Sequence, residues 1–163
     1  MSAGCLFTDG RYVLAGLQGI ETEFLSGFGG KPLEGEGRVD TAIRETLEEL
    51  FHLESVPAEI IRTISVECMP QRYLQNGNYE FLVYSFEDLY DWGLILSKSG
   101  IQSPLYDVMP LTVSDLLFKR KQIEGTEIKC LSLLPLQKSL TINKYFLEDI
   151  SFLLDKIEGP CPC

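Results

Sequence analysis

The chain has 163 residues, with 24 acidic against 14 basic side chains for a formal charge of −10, and 45% of its residues are hydrophobic. That length suits one domain with a sizeable core, and the apolar share is that of an ordinary globular protein. The acidic balance argues against a broad nucleic-acid surface, which needs excess Lys and Arg, and no apolar run reaches membrane-spanning length.

Gly4 to Thr8 and Arg11 to Leu17 are apolar-rich runs around Asp9-Gly10, a strong hairpin-turn signal. Gly16 to Ser26 reads as a connector. It leads to the stretch Gly27 to Phe51, GFGGKPLEGEGRVDTAIRETLEELF. The second half of that stretch reads as a helix beginning near Asp40, a fair N-cap. Beyond it, Val56-Pro57 marks a turn. Ile60 to Cys68 reads as a strand, with Ile64 and Val66 alternating against Thr63, Ser65 and Glu67. Arg72 to Gln75 and Tyr79 to Phe86 flank Asn76-Gly77-Asn78, a second hairpin signal, with Phe81, Leu82 and Val83 the most buried.

Glu87 to Ser103 is the least legible part, a short helix or a loop. Tyr106 to Leu111 reads as a strand, and Thr112 to Gln122 as a short helix with Ser or Asp caps. Glu127 to Leu133 reads as a strand. Ile142 to Ile157 has the three-four apolar spacing of an amphipathic helix. Residues 1–158 are expected to form one domain, followed by a flexible Cys/Pro tail at 159–163 holding Cys161 and Cys163. Cys5, Cys68 and Cys130 sit in apolar surroundings and read as small buried residues. With no signal peptide and no zinc-type cysteine spacing, a reducing, cytoplasmic setting and no membrane contact are expected. Lys119-Arg120-Lys121 is the only basic run and reads as a solvated face.

Wound at about 100° per residue, the helix after Asp40 places Glu45, Glu48 and Glu49 on one side. Ile43, Leu47, Leu50 and Phe51 fall on the other. Carboxylates at spacings of three and four repel and weaken a helix, so a chain that keeps them is holding something positive. Magnesium prefers oxygen ligands and meets proteins through one or two carboxylates plus substrate phosphates. Just ahead lie Gly29, Gly30 and Lys31: glycines that let the backbone approach a ligand, and a lysine that suits phosphate. Together these read as a site for Mg2+ or Mn2+ and phosphate. Arg44 is four residues before Glu48, the spacing of an ion pair.

These residues resemble the Nudix box, G-x5-E-x7-R-E-U-x-E-E-x-G-U, where U is bulky and apolar. Gly30, Glu36, Arg44-Glu45 and Glu48-Glu49 match its fixed positions. The GFGGK and EGE pieces are similar to 8-oxo-dGTP diphosphatases. GGK, GE and the A-I-R-E helix are also similar to decapping members. Thr46 and His52 stand where the box has apolar residues, and Phe51 stands where it has glycine, which changes how the helix ends and packs.

The resemblance implies an α/β/α sandwich with a mixed sheet and a loop-helix-loop bearing the chemistry. It implies Glu48 and Glu49 as main metal ligands, the Gly30 carbonyl as a further one, and Glu45 as a third ligand or the base. Arg44 and Glu36 are implied to orient the box. Asp107, in a segment similar to E-x-x-x-x-P-L-x-x-L, is the first candidate for an extra catalytic carboxylate, with Glu87 and Asp88 behind it. Glu80 reads as a cross-strand surface partner, and Tyr73, Trp92 and Tyr106 as aromatics of core or surface. The implied activity is metal-dependent hydrolysis of a diphosphate bond in a nucleoside diphosphate-linked substrate. A small nucleotide fits the charge better than a capped RNA 5′ end. A binding module with a weakened site is the rival of another class. Homodimerisation is implied at family level.

Overall fold

Strand-forming stretches pair into two sheets side by side, seen in a computed structural model that describes residues 1–19, 21–138 and 144–158. The first sheet has the order β4-β1-β6-β5, from β1 (Ser2–Phe7), β4 (Phe28–Gly30), β5 (Arg72–Asn76) and β6 (Tyr79–Tyr84). It is mixed: β1 runs parallel to β6, while the β1–β4 and β5–β6 pairs are antiparallel. The second sheet is antiparallel, ordered β3-β2-β7, from β2 (Tyr12–Gln18), β3 (Phe24–Ser26) and β7 (Cys130–Pro135).

The first predicted hairpin is therefore corrected. The Asp9-Gly10 turn forms, with the Asp9 side chain accepting from the backbone N–H groups of Arg11 and Tyr12. Beyond a single bridge between Thr8 and Val13, however, β1 and β2 diverge into different sheets. The second hairpin, β5–β6 around Asn76 and Gly77, forms as read, and Phe81, Leu82 and Val83 are buried.

Helices cover both faces. On one lie α1 (Arg38–Phe51), α2 (Ala58–Glu67), α3 (Phe86–Lys98) and α4 (Val113–Phe118); on the other lies α5 (Lys144–Glu158). Strand alternation feeds both layers. Cys5, Phe7, Leu82 and Tyr84 point into a core with Ile43, Leu47, Leu50, Ile64 and Trp92. Their neighbours Leu6, Phe81 and Val83 point into a second core with Val13, Ala15, Phe146, Ile150 and Leu153. The protein is thus a mixed α/β fold with helices packed on sheets, and no described helix is long and apolar enough to cross a membrane.

Several elements differ from their sequence reading. Ile60 to Cys68 is mostly helix α2, not a strand. Ile60, Ile61 and Ile64 form one helical stripe and are buried, whereas Val66, which seemed to continue an alternation, is 70% exposed. Glu87 to Ser103 holds the three-turn helix α3, started by a reciprocal capping box between Ser85 and Asp88. Asp88 is thereby occupied as a structural cap. Tyr106 to Leu111 is loop; α4 is capped by Thr112, whose hydroxyl accepts from the Asp115 N–H. Strand β7 starts at Cys130 rather than Glu127. Helix α5 matches its apolar register from Lys144 on, while Ile142 and the Cys161 and Cys163 tail lie outside the described residues.

Close strand approach leaves no room for a side chain at Gly4, where a Cβ would fall 2.0 Å from the Tyr79 hydroxyl and 2.1 Å from the Phe28 carbonyl oxygen. Gly4→Ala is expected to destabilise the fold by about 3 kcal/mol through overpacking, read as a lowered urea midpoint at unchanged m-value.

Candidate functional site

Helix α1 starts two residues before Asp40, with Gly37 as its N-cap and no side-chain cap. The N-terminal turn is organised instead by Glu36. Its carboxylate accepts from the Leu33 N–H and the Thr41 hydroxyl, both at 2.9 Å, and from Arg44 through Nε at 2.8 Å and Nη2 at 2.9 Å. The buried Arg44 also reaches Glu48 at 2.9 Å, Glu45 at 3.0 Å and the Lys31 carbonyl at 3.0 Å. One guanidinium thus ties the loop Lys31 to Gly37 to three carboxylates. Arg44 holds the Glu36 carboxyl down at about 2, well below its usual 4.5. Lys31 contributes its backbone to this knot, and its side chain is exposed.

The glutamates are brought together, though not as an outward-facing row. Glu49 turns inward and is only 8% exposed, accepting from the Gly29 N–H at 3.0 Å. Glu45 lies across the loop: a Cβ on Gly30 would sit 2.4 Å from the Glu45 carboxyl carbon, so with glycine there the carboxyl rests directly on the backbone. Glu45, Glu48 and Glu49 line one small cavity of about 230 Å³ with His52, Leu53, Gly125 and Glu127. Glu127 escaped the sequence reading; its one signal was an acidic residue just ahead of a strand. Burial pushes the Glu49 carboxyl up to about 8, with Glu127, Glu45 and Glu48 adding like-charge repulsion against the Gly29 bond that lowers it. Burial likewise raises Glu48, against the pull of Arg44.

Asp107 is placed elsewhere. Its side chain is 83% exposed, pairs with Lys121, and borders a separate depression with Val108, Met109, Asp115 and Lys119. The loop that replaces the expected strand at Tyr106 to Leu111 turns it outward. Glu80, read as a cross-strand surface partner, instead pairs at 2.6 Å with Arg38 at the start of α1 and is half-buried. Trp92 and Tyr106 are core, and Tyr73 is exposed.

A divalent cation fits this cavity in donor type. Hard carboxylate oxygens line it, and neither Glu49 nor Glu127 has a cationic partner among the described ion pairs. As they stand, no three His, Cys, Asp or Glu side chains among the described residues converge closely enough to hold an ion. Glu45 and Glu48 are each held by Arg44, at 3.0 and 2.9 Å.

A larger cleft of about 600 Å³ adjoins it and shares Glu49 and Glu127 with it. Its walls include Gly27, Gly29, Asn76, Tyr79, Phe146 and Asp149. Asn76 donates to Asp149 at 3.4 Å, and burial raises the Asp149 carboxyl to about 6.

No family profile matches the chain, and no curated protein matches it. Among solved structures, a hydrolase of the NUDIX family from Clostridium perfringens aligns over 96% of this chain and 97% of its own, at 13% identity and a TM-score of 0.42. So distant a likeness says nothing of chemistry, which rests on the residues of the site.

Two carboxylates should give opposite pH signatures in a chelator. Glu36 titrates below its ordinary value, so its contribution is present above pH 4.5 and is lost as pH falls toward 2. Glu36→Gln should lower stability at pH 7 by about 3 kcal/mol, with the gap to wild type narrowing below pH 4.5 in urea unfolding. Glu49 titrates above its ordinary value, so the folded state loses stability as pH rises from 4.5 to 8. Glu49→Gln should therefore unfold at a higher temperature than wild type at pH 9 and lose that advantage by pH 4.5.

Proposed function

We propose that this chain is a divalent-metal-dependent hydrolase of the Nudix type, cleaving a phosphoanhydride bond in a small nucleoside diphosphate-linked substrate. The observation that carries the reading is Glu49, buried where the small acidic cavity opens into the larger cleft. A nucleoside in the cleft brings its phosphates against the carboxylates. In that reading Glu45, Glu48 and Glu49 hold Mg2+ or Mn2+ with the Gly30 carbonyl. Glu127 takes the place of the extra carboxylate that Asp107 was expected to supply. The bound metal supplies an acidified water and neutralises phosphate charge.

The protein's own groups do the rest. Gly29 holds Glu49 through its N–H, and Arg44 steadies Glu45 and Glu48. A carboxylate set in a low-dielectric pocket is a competent proton acceptor near neutral pH, which suits Glu49 as the base, with Glu45 beside it the other candidate by position. In the cleft, Tyr79 and Phe146 offer apolar walls, and Asn76 and Asp149 offer a donor and an acceptor to a base edge.

A small nucleotide is favoured over a capped RNA because Lys119 and Lys121 are paired with Asp115 and Asp107, which leaves the only basic run poorly suited to phosphates.

The test is hydrolysis with Mg2+ or Mn2+ across nucleoside triphosphates, oxidised nucleotides, dinucleoside polyphosphates, nucleotide sugars and capped RNA. Turnover of a small-nucleotide class is expected, abolished by EDTA and reduced about 1,000-fold in Glu49→Gln, a loss in the range of other key electrostatic groups. Folded, metal-supplied protein without turnover in any class would sink the enzyme reading in favour of a binding module, and turnover of capped RNA alone would replace the substrate.

A further inference from the structure

Helix α1 ends without the usual devices. Its last turn has no basic residue, Phe51 is a core side chain, and the left-handed position after the helix is taken by His52 at φ 51° rather than by glycine. Carbonyls at a helix C-terminus lack partners within the helix and carry its negative pole. Here the Ser103 hydroxyl donates to the Phe51 carbonyl. The Glu49 and Leu50 carbonyls are met by Arg120, from the segment after α4.

Arg120 was expected on a solvated face with Lys119 and Lys121, but it turns inward. Nη1 donates to the Leu50 carbonyl; Nη2 donates to the Glu49 carbonyl at 3.3 Å and to the Ile128 carbonyl at 3.1 Å. Nη1 also lies 3.4 Å from the Tyr106 hydroxyl, and that hydroxyl donates to the Leu116 carbonyl at 2.7 Å. Ile128 follows Glu127 directly. One guanidinium therefore bridges the backbone that carries Glu49 to the backbone beside Glu127, the two carboxylates shared by both cavities.

We propose that Arg120 is a positioning residue that sets Glu127 against Glu49 by clamping the C-terminus of α1 to the Ile128 backbone, a role that rests on the hydrolase reading above. The clamp needs a planar fork with several fixed donors; a lysine ammonium keeps the charge and loses the geometry. The chain turns at Gly125, φ +86°, just before Glu127; past it Ile128 is buried in the core and the Lys129 N–H donates to the Leu17 carbonyl at 2.8 Å, and Arg120 adds the side-chain link from this stretch to the end of α1. The start of α1 is held independently by Arg44 and Glu36, and its Phe51 end by Ser103. Removing Arg120 leaves these two anchors of α1 in place.

The experiment compares wild type with Arg120→Met, Arg120→Lys, Glu127→Gln and the double variant Arg120→Met/Glu127→Gln. Assays run well below each unfolding midpoint and are scaled to folded protein. Arg120→Met should lower kcat about 10- to 100-fold, the scale of an ångström-level misplacement, with KM within about three-fold. Arg120→Lys should fall between it and wild type. Glu127→Gln should lower kcat as well, and the double variant should lose no more than the worse single one, because both act on the same arrangement. Wild-type kcat in Arg120→Met or in Glu127→Gln, or losses that multiply in the double variant, would overturn the proposal. Should wild type hydrolyse nothing, the hydrolase reading fails by itself, and Mn2+ calorimetry judges the clamp. Affinity at least ten-fold weaker in Arg120→Met supports it, and equal binding, or none in either protein, overturns it.

Discussion

Helix α1 packs on β1 through Ala3, Cys5 and Phe7 and on a short glycine strip in β4. Gly30 lies under the Glu45 carboxyl, where a Cβ would fall 2.4 Å from the carboxyl carbon, and Gly29 presents its N–H to Glu49. This closeness draws Glu49 off a solvated helix face and into the protein, within reach of the Gly29 N–H. It also lets the Glu45 carboxyl rest on Gly30. The rest of the helix makes the approach stable: Ile43, Leu47, Leu50 and Phe51 are fully buried on the far side, and the Cys5 thiol donates to the Ala42 carbonyl at 3.4 Å. Apolar burial of that size supplies the driving force, and the glycine strip decides where it brings the carboxylates.

Charge is then divided unevenly. Arg44 compensates Glu36 fully and Glu45 and Glu48 in part, and these contacts orient the loop ahead of the helix. Glu49 and Glu127 are left facing each other across a cavity without a described cation. Burying a carboxylate without a cation costs stability and raises its pKa, as it does at Glu49. Glu36 and Glu49, thirteen residues apart in one acidic stretch, are consequently driven in opposite directions, one toward about 2 and the other toward about 8.

What the sequence made legible was whatever depends on local spacing. The three glutamates, the apolar stripe of α1, the Asn76-Gly77 turn and the periodicity of α5 are all short-range patterns, and they recur in the structure. The misreadings arose where two periods compete or where tertiary partners decide. Ile60, Ile61, Ile64 and Val66 fit both an alternation and a helical stripe over so short a run, and packing on α1 and α3 selects the stripe. The Ser85–Asp88 capping box was present as a pattern and marked a helix start that composition concealed. Glu127 and Arg120 were beyond reach for another reason. Their meaning lies in contacts with α1, some 70 residues earlier in the chain, and no local spacing encodes them.

The failed hairpin at Asp9-Gly10 shows how the fold makes space as well as a site. Both edges of β1 are taken, by β4 and β6, so β2 cannot pair along it. Instead the Asp9 side chain satisfies the turn, β1 stays with β4 and β6, and β2 leaves with β3 and β7. The cleft opens along this divergence. Gln18 and Ser26 come from one sheet, Gly29, Asn76 and Tyr79 from the other, and α5 closes the side with Phe146 and Asp149. Glu49 reaches the same space from the opposite helix layer because β4 is three residues long and carries glycine at two of them. A short, bare strand between a charged helix and a split pair of sheets is therefore what joins the acidic cavity to the cleft. Neither feature would make that junction without the other.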